Sequence, residues 1–111
     1  MRNLVRQEVF DSSRTLIIKI GSNCLTRSDD QLNEERIRHL SEQIDRLMAT
    51  GRQVVVVSSG AVAAGIGVLG LNAKPQSLPE LQASAAVGQT RLMKAWGDSF
   101  GISSRKVAQI L

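Results

Sequence analysis

The chain encodes an α/β domain, a three-layer αβα arrangement around a mainly parallel sheet. Three observations carry that expectation. Strand-like and helix-like segments alternate in the order β-α-β-α-α-β, the pattern of helices laid on a parallel sheet. The run Val54-Val55-Val56-Val57 shows no polar alternation, as expected of a parallel strand buried on both faces. The first two strands each run into a glycine-containing turn, Gly21-Ser22-Asn23 and Ser58-Ser59-Gly60, and the helix between them suits a right-handed crossover.

Residues 1–14, MRNLVRQEVFDSSR, form an N-terminal extension. They lack the apolar core of roughly 7–15 residues that a signal peptide needs. Thr15 to Ile20 is a short apolar strand, TLIIKI. From Asn33 the period changes: Ile37, Leu40, Ile44, Leu47 and Met48 recur at helical spacing. Glu34/Arg38, Arg38/Glu42 and Glu42/Arg46 are spaced to pair on the opposite side. Asn33 suits the N-cap and Gly51 the position just past the helix end. Gln53 to Val57 is the second strand and Ala61 to Leu69 a short helix, followed by a loop through Asn72 to Pro75. Ser77-Leu78-Pro79-Glu80 reads as a capping box with proline in the first turn. It opens a long helix to about Gly97 with Leu81, Ala85, Gly88 and Leu92 on one stripe. Lys106 to Leu111, KVAQIL, is the expected third strand. Three strands are few beside a mean sheet of ~5–6, and the sequence stops inside an apolar run, so it reads as truncated.

Composition narrows the classes of function. Hydrophobic residues at 42% and charged residues at 22% are ordinary globular values. Aromatics are 3% with no tyrosine, which argues against a stacking platform for single-stranded nucleic acid. Lys and Arg number 14 against 10 Asp and Glu, a net +4. The cations are scattered, so they read as solvated surface and nucleic acid is not an expected partner. Cys24 is the single cysteine; it excludes an intrachain disulfide and fits a reducing, cytoplasmic setting. Val54 to Ala73 carries no charge and reaches the ~20 residues of a spanning helix. The Ser58-Ser59-Gly60 interruption, glycines 65, 67 and 70, and amphipathic flanks point to strand, turn and helix, with no membrane partner.

In open parallel sheets, ligands bind beyond the carboxyl ends of the strands. If the first two strands are neighbours, their turns lie about 5 Å apart. Both can present free backbone N–H groups, which makes the position suitable for an anion. Lys19 stands near the end of an otherwise apolar strand. Buried and unpaired, its ammonium would be costly unless a phosphate met it; alternatively it reaches water or pairs with a carboxylate. Ser58 and Ser59 are ligand groups or turn residues bonding local backbone.

Sharper motifs fail on context. Residues 65–70, GIGVLG, spell G-x-G-x-x-G, but Gly65 does not directly follow a strand, and small-residue packing explains it better. No Walker-type phosphate loop is present, and the turn at Ser59 lacks G-x-S-x-G. His39 falls on the charged side of its helix, Cys24 reads as a small packed residue, and no metal-ligand spacing of His and Cys occurs.

Three blocks, KIGSNCLT (Lys19 to Thr26), VVVVSSGAVAAG (Val54 to Gly65) and AAVGQTRLMKAW (Ala85 to Trp96), resemble the amino acid kinase family in order and spacing. Their turns look like those of the branch that phosphorylates L-glutamate on its side-chain carboxylate. The resemblance implies residues 15–111 as the N-terminal part of such a kinase domain. It implies ATP as phosphoryl donor, with Mg²⁺ carried as the nucleotide complex. Lys19 matches the catalytic lysine that contacts ATP phosphate, and Gly21, Ser22 and Gly60 match the turn residues that approach the phosphates. Ser59 matches the serine that contacts glutamate. The same resemblance implies a homo-oligomer and proline as a feedback inhibitor. The family's other substrate-binding Asp and Asn, its second phosphate-contacting lysine and its base pocket correspond to positions after 111, so this chain alone is expected to be inactive. The kinase half of a bifunctional proline-pathway synthase and a non-catalytic module binding an acidic amino acid are the alternative readings.

Overall fold

The computed structural model describes residues 3–110. In chain order the elements are α1 (Leu4–Ser12), β1 (Thr15–Ile20), α2 (Ser22–Leu25), α3 (Glu34–Ala49), β2 (Gln53–Ser58), α4 (Ala61–Leu69) and α5 (Leu78–Gly101). The fold is α/β, with helices packed on a parallel two-stranded sheet. The register runs from Thr15 opposite Gln53 to Ile20 opposite Ser58. The ladder continues past both strands: Gln53 N–H donates to the Arg14 carbonyl at 2.8 Å and Ser59 N–H to that of Ile20 at 2.9 Å.

The crossover helix forms for the reasons its sequence gives. Asn33 Oδ1 accepts from Arg36 N–H at 3.0 Å, and Glu34 and Glu35 occupy the first turn, where carboxylates oppose the helix dipole favourably. Ile37, Ser41 and Ile44 are buried, with Leu40 and Met48 packed beside them. Gly51 takes φ +89° just past the end, a conformation that suits glycine. The expected i,i+4 ion pairs are not formed among the described residues. Glu34 instead binds Arg91 of α5. An exposed intrahelical pair is worth only ~0.2–0.5 kcal/mol, so a guanidinium from a neighbouring helix displaces it readily.

Ser77 caps α5, its Oγ accepting from Glu80 N–H at 3.4 Å while its hydroxyl donates to Glu80 Oε2 at 2.7 Å. The helix runs to Gly101, four residues past the predicted end. A glycine inside a helix costs only ~1 kcal/mol relative to alanine, and burying Trp96 and Phe100 on the core side of the last turns outweighs it. Where α4 meets α5, the backbones touch. A Cβ on Gly88 would overlap the Ala61 carbonyl oxygen and come within 2.9 Å of the Gly65 Cα. One on Gly65 would come within 2.6 Å of the Ser84 carbonyl carbon and hydroxyl. The glycine-rich segment 65–70 therefore serves packing, with Gly70 ending α4 in the left-handed region at φ +65°.

The core lies on one side of the sheet. Ile18, Ile20, Val54 and Val56 pack with Ile37 and Ile44 of α3 and with Leu92, Trp96 and Phe100 of α5. The valine run is not buried on both faces: Ile17 (72%), Val55 (37%) and Val57 (49%) are exposed on the other. The strand's own alternation sends every second side chain outward, and the packed helices lie on the inner face.

Residues 106–110 form no strand, and Leu111 lies outside the described residues. After α5 the chain turns through Ser104 at φ +61°, with Arg105 N–H donating to the Phe100 carbonyl at 3.0 Å. The Arg105 guanidinium binds Asp45 of α3. Val107 then packs toward Gly97. Anchored there, the segment borders a cleft of about 610 Å³ along β2 instead of pairing with it. Strand propensity is realised only where a ladder is available. Val54 to Ala73 resolves into strand, turn and helix, and among the described residues no helix is long and apolar enough to cross a membrane.

Gly88→Ala and Gly65→Ala are expected to lower the unfolding free energy by roughly 1–3 kcal/mol each, as overpacking does. Urea unfolding followed by Trp96 emission measures it. Asp45 supplies a second expectation. The hydrogen bond from Arg105 holds its carboxyl below the ordinary aspartate value, against a smaller opposing effect of burial. A depressed folded pKa means the pair contributes fully above the unfolded value and is lost as pH falls through the folded one. Acid, or Asp45→Asn at neutral pH, should therefore loosen residues 103–110 before the core melts, read as faster amide exchange confined to that segment.

Candidate active site

Parallel pairing brings the ends of β1 and β2 together, with Ile20 opposite Ser58. Two connections leave from this point. Gly21 continues extended at φ −77°, ψ 163° and opens the single helical turn α2. That turn is anchored by Leu25, which has no exposed surface. On the other strand, Ser59 leads to Gly60 at φ +113° and then directly into α4. A side chain at Gly60 would be strained by that φ. It would also press on Leu32 Cδ1 at 3.2 Å and on Leu25 and Leu92 at 3.5 Å. Neither α2 nor α4 has a side-chain cap on its first amides. Uncapped N–H groups at a helix start are free to meet an anion.

The two serines of the turn do different things. Ser58 is half-buried, accepts from Trp96 Nε1–H at 3.0 Å and donates its own proton to the Ser59 carbonyl at 2.8 Å. Ser59 is exposed, and its hydroxyl makes no hydrogen bond among the described residues. Local backbone bonding, one of the two sequence readings, is thus the role of Ser58; Ser59 presents a free hydroxyl at the carboxyl end of the sheet.

Lys19 is not buried. It stands opposite Val57 on the outer face of the sheet, exposed, because the alternation that turns Ile18 and Ile20 inward turns Lys19 outward. Its ammonium makes no ion pair among the described residues. Exposed, its ammonium needs no phosphate to offset desolvation, and it stands as an unpaired cation one residue before the end of β1. The structure brings Lys19, Gly21, Ser22, Ser59 and Gly60 to one end of the sheet, with Lys19 on the open face.

Cys24 is exposed, not packed: in the single turn of α2 the buried position is taken by Leu25. His39 lies on the exposed side of α3, as its position in the charged stripe indicated. Sequence reasoning missed Trp96 as a partner of the turn. The signal was present, since a buried indole N–H needs an acceptor, but no sequence spacing says which one. Beside α4 a cleft of about 330 Å³ is lined by Arg27, Leu32, Glu34, Gly67 and Arg91. Its two guanidinium groups are engaged, Arg27 by Asp29 at 2.6 Å and Arg91 by Glu34, so it offers no free cation.

Residues 14–110 match the amino acid kinase family. The chain is 46% identical over 107 residues to the glutamate 5-kinase of Geobacter sulfurreducens and 47% identical over the same length to that of Geobacter metallireducens. It is 43% identical to the glutamate 5-kinase of Rhodopirellula baltica. Each match takes in 96% of this chain but only 28–29% of the relative. The chain thus spans less than a third of the length of the curated relatives it matches. With its paired strand ends, two glycine turns and family match over residues 14–110, the chain belongs to the amino acid kinase family.

Proposed function

We propose that residues 15–111 are the N-terminal part of the kinase domain of a glutamate 5-kinase, with residues 1–14 as an extension. The reaction is transfer of the ATP γ-phosphoryl group to the side-chain carboxylate of L-glutamate. A carboxylate oxygen bonds to the γ-phosphorus as the bond to the β,γ-bridging oxygen breaks, giving glutamyl 5-phosphate and ADP. This is the first step of proline biosynthesis, a cytoplasmic pathway, and proline is the feedback inhibitor to assay. A homo-oligomer is the assembly expected of the full-length protein. The observation that carries the reading is the pair of uncapped turns side by side at the carboxyl end of a parallel sheet.

Phosphoryl transfer is mostly positioning and charge stabilisation. The amides at Gly21, Ser22 and Gly60 are suited to approach phosphate oxygens closely, because two of these residues have no side chain and Gly60 takes a φ that other residues avoid. Lys19 supplies the positive charge for the transferring group. Ser59 offers a hydroxyl, free of internal bonds, to the glutamate carboxylate. Among the described residues no group of three or more His, Cys, Asp or Glu is placed to hold a metal. In this reading Mg²⁺ arrives bound to the nucleotide and would neutralise charge on its phosphates.

In the full-length gene product, Lys19→Ala should keep the fold and lower turnover by roughly 10²–10³, the loss expected for one electrostatic stabiliser. Near-normal turnover would remove Lys19 from the mechanism. Ser59→Ala should raise the glutamate KM by the equivalent of about 1.5–3 kcal/mol, one hydrogen bond to a charged group, and leave the ATP KM in place. A raised ATP KM with unchanged glutamate KM would move Ser59 to the nucleotide. Calorimetry separates an enzyme from a mere binding module: the module would take up glutamate or proline without ADP release.

A further inference from the structure

We propose that Ser58 and Trp96 form a positioning pair that sets the Ser59 peptide, an inference that rests on the glutamate-kinase reading of this turn. The chain of bonds is short and directional. Trp96 Nε1–H donates to Ser58 Oγ at 3.0 Å, and Ser58 Oγ–H donates to the Ser59 carbonyl at 2.8 Å. On the other side of the same residue, Ser59 N–H donates to the Ile20 carbonyl at 2.9 Å. Both backbone groups of Ser59 are therefore held, one by β1 and one by α5 acting through Ser58.

A serine hydroxyl alone would rotate to suit any neighbour. Here the indole occupies one of its lone pairs, so its proton is directed to the Ser59 carbonyl. The indole is itself fixed. Trp96 is 5% exposed and stacks on Phe100 with ring centroids 6.0 Å apart. Two turns earlier on the same helix, Gly88 is seated on the α4 backbone at Ala61 and Gly65. α5 thus contacts both the start of α4 and, through Trp96, the last residue of β2, and Ser59 lies in the turn between those two contacts. Neither Ser58 nor Trp96 touches the substrate in this scheme; they act through Ser59.

The test uses Ser58→Ala, Ser58→Thr, Trp96→Phe and the double variant Ser58→Ala/Trp96→Phe in the full-length protein. Two readouts are taken, exchange of the Ser59 amide and steady-state kinetics. Ser58→Ala and Trp96→Phe should each speed Ser59 exchange and raise the glutamate KM by roughly three- to tenfold, the loss of one neutral hydrogen bond. The ATP KM and kcat should stay within about twofold. Ser58→Thr keeps the hydroxyl and should behave as the parent, and Trp96→Phe keeps the aromatic packing. The double variant should be no worse than the poorer single one, since both remove the same bond. Unchanged Ser59 exchange, an unchanged glutamate KM in an active parent, or an equal loss with Ser58→Thr would overturn the pair. A parent without glutamate-dependent turnover would sink the kinase reading, while Ser59 exchange in the variants would still decide whether the pair holds the turn.

Discussion

The backbone contact between α4 and α5 is the constraint on which the rest depends. Helices with ordinary side chains at their crossing sit 8–10 Å apart. Here Gly65 and Gly88 remove the side chains from both sides of the crossing. The closeness fixes where α4 begins, and α4 begins at the turn that carries Ser59 and Gly60. It also holds α5 so that Trp96, two turns on, meets the end of β2. A packing feature that is remote from chemistry in the sequence is thereby the reference for the position of the proposed substrate serine.

Ion pairs secure the same arrangement from outside. Glu34 at the start of α3 binds Arg91 of α5, and Asp45 farther along α3 binds Arg105 just past the end of α5. All four groups are a third to a half exposed, so each pair contributes little energy by itself. Their effect is on alignment: α3 is tied to α5 at Arg91 and to the segment just past the end of α5 at Arg105. The pairs predicted within α3 would have stabilised that helix alone and aligned nothing.

The elements were legible wherever a local signal decided them. Both strands, the caps at Asn33 and Ser77, and the start of α4 follow from residues within a few positions of each other. Sequence missed what depends on the far side of an element. TLIIKI and VVVV read as continuous apolar runs, yet alternation exposes Ile17, Val55 and Val57 because the packed helices lie on one face. The same alternation decides between the two readings of Lys19, which reaches water on the outer face. Residues 106–110 have strand composition, but Arg105 is drawn to Asp45 and no ladder forms. Of the site, the two turns and their neighbourhood were legible because strand ends and glycines are local features. The division of labour between Ser58 and Ser59 was not, since it depends on an indole 38 residues away.

The exposure of Lys19 sets a condition on the proposed chemistry. Two unit charges 4 Å apart interact by about 1 kcal/mol in water and about 4 kcal/mol at the effective dielectric near a protein surface. A solvated ammonium on an open face can steer an anionic nucleotide, but it stabilises a transition state weakly. The same face carries Ile17, Val55 and Val57, an apolar surface beside the cation. Covering that surface would exclude water from the very side on which Lys19 stands, and would strengthen its attraction for the transferring phosphoryl group without moving it. In the proposed chemistry the turns and Ser59, whose N–H and carbonyl are both hydrogen-bonded, supply the geometry, and the charge of Lys19 would become effective as the outer face is dried. Positioning and electrostatics are thus separable here, the first built on the α4–α5 contact and the second dependent on what lies over β1 and β2.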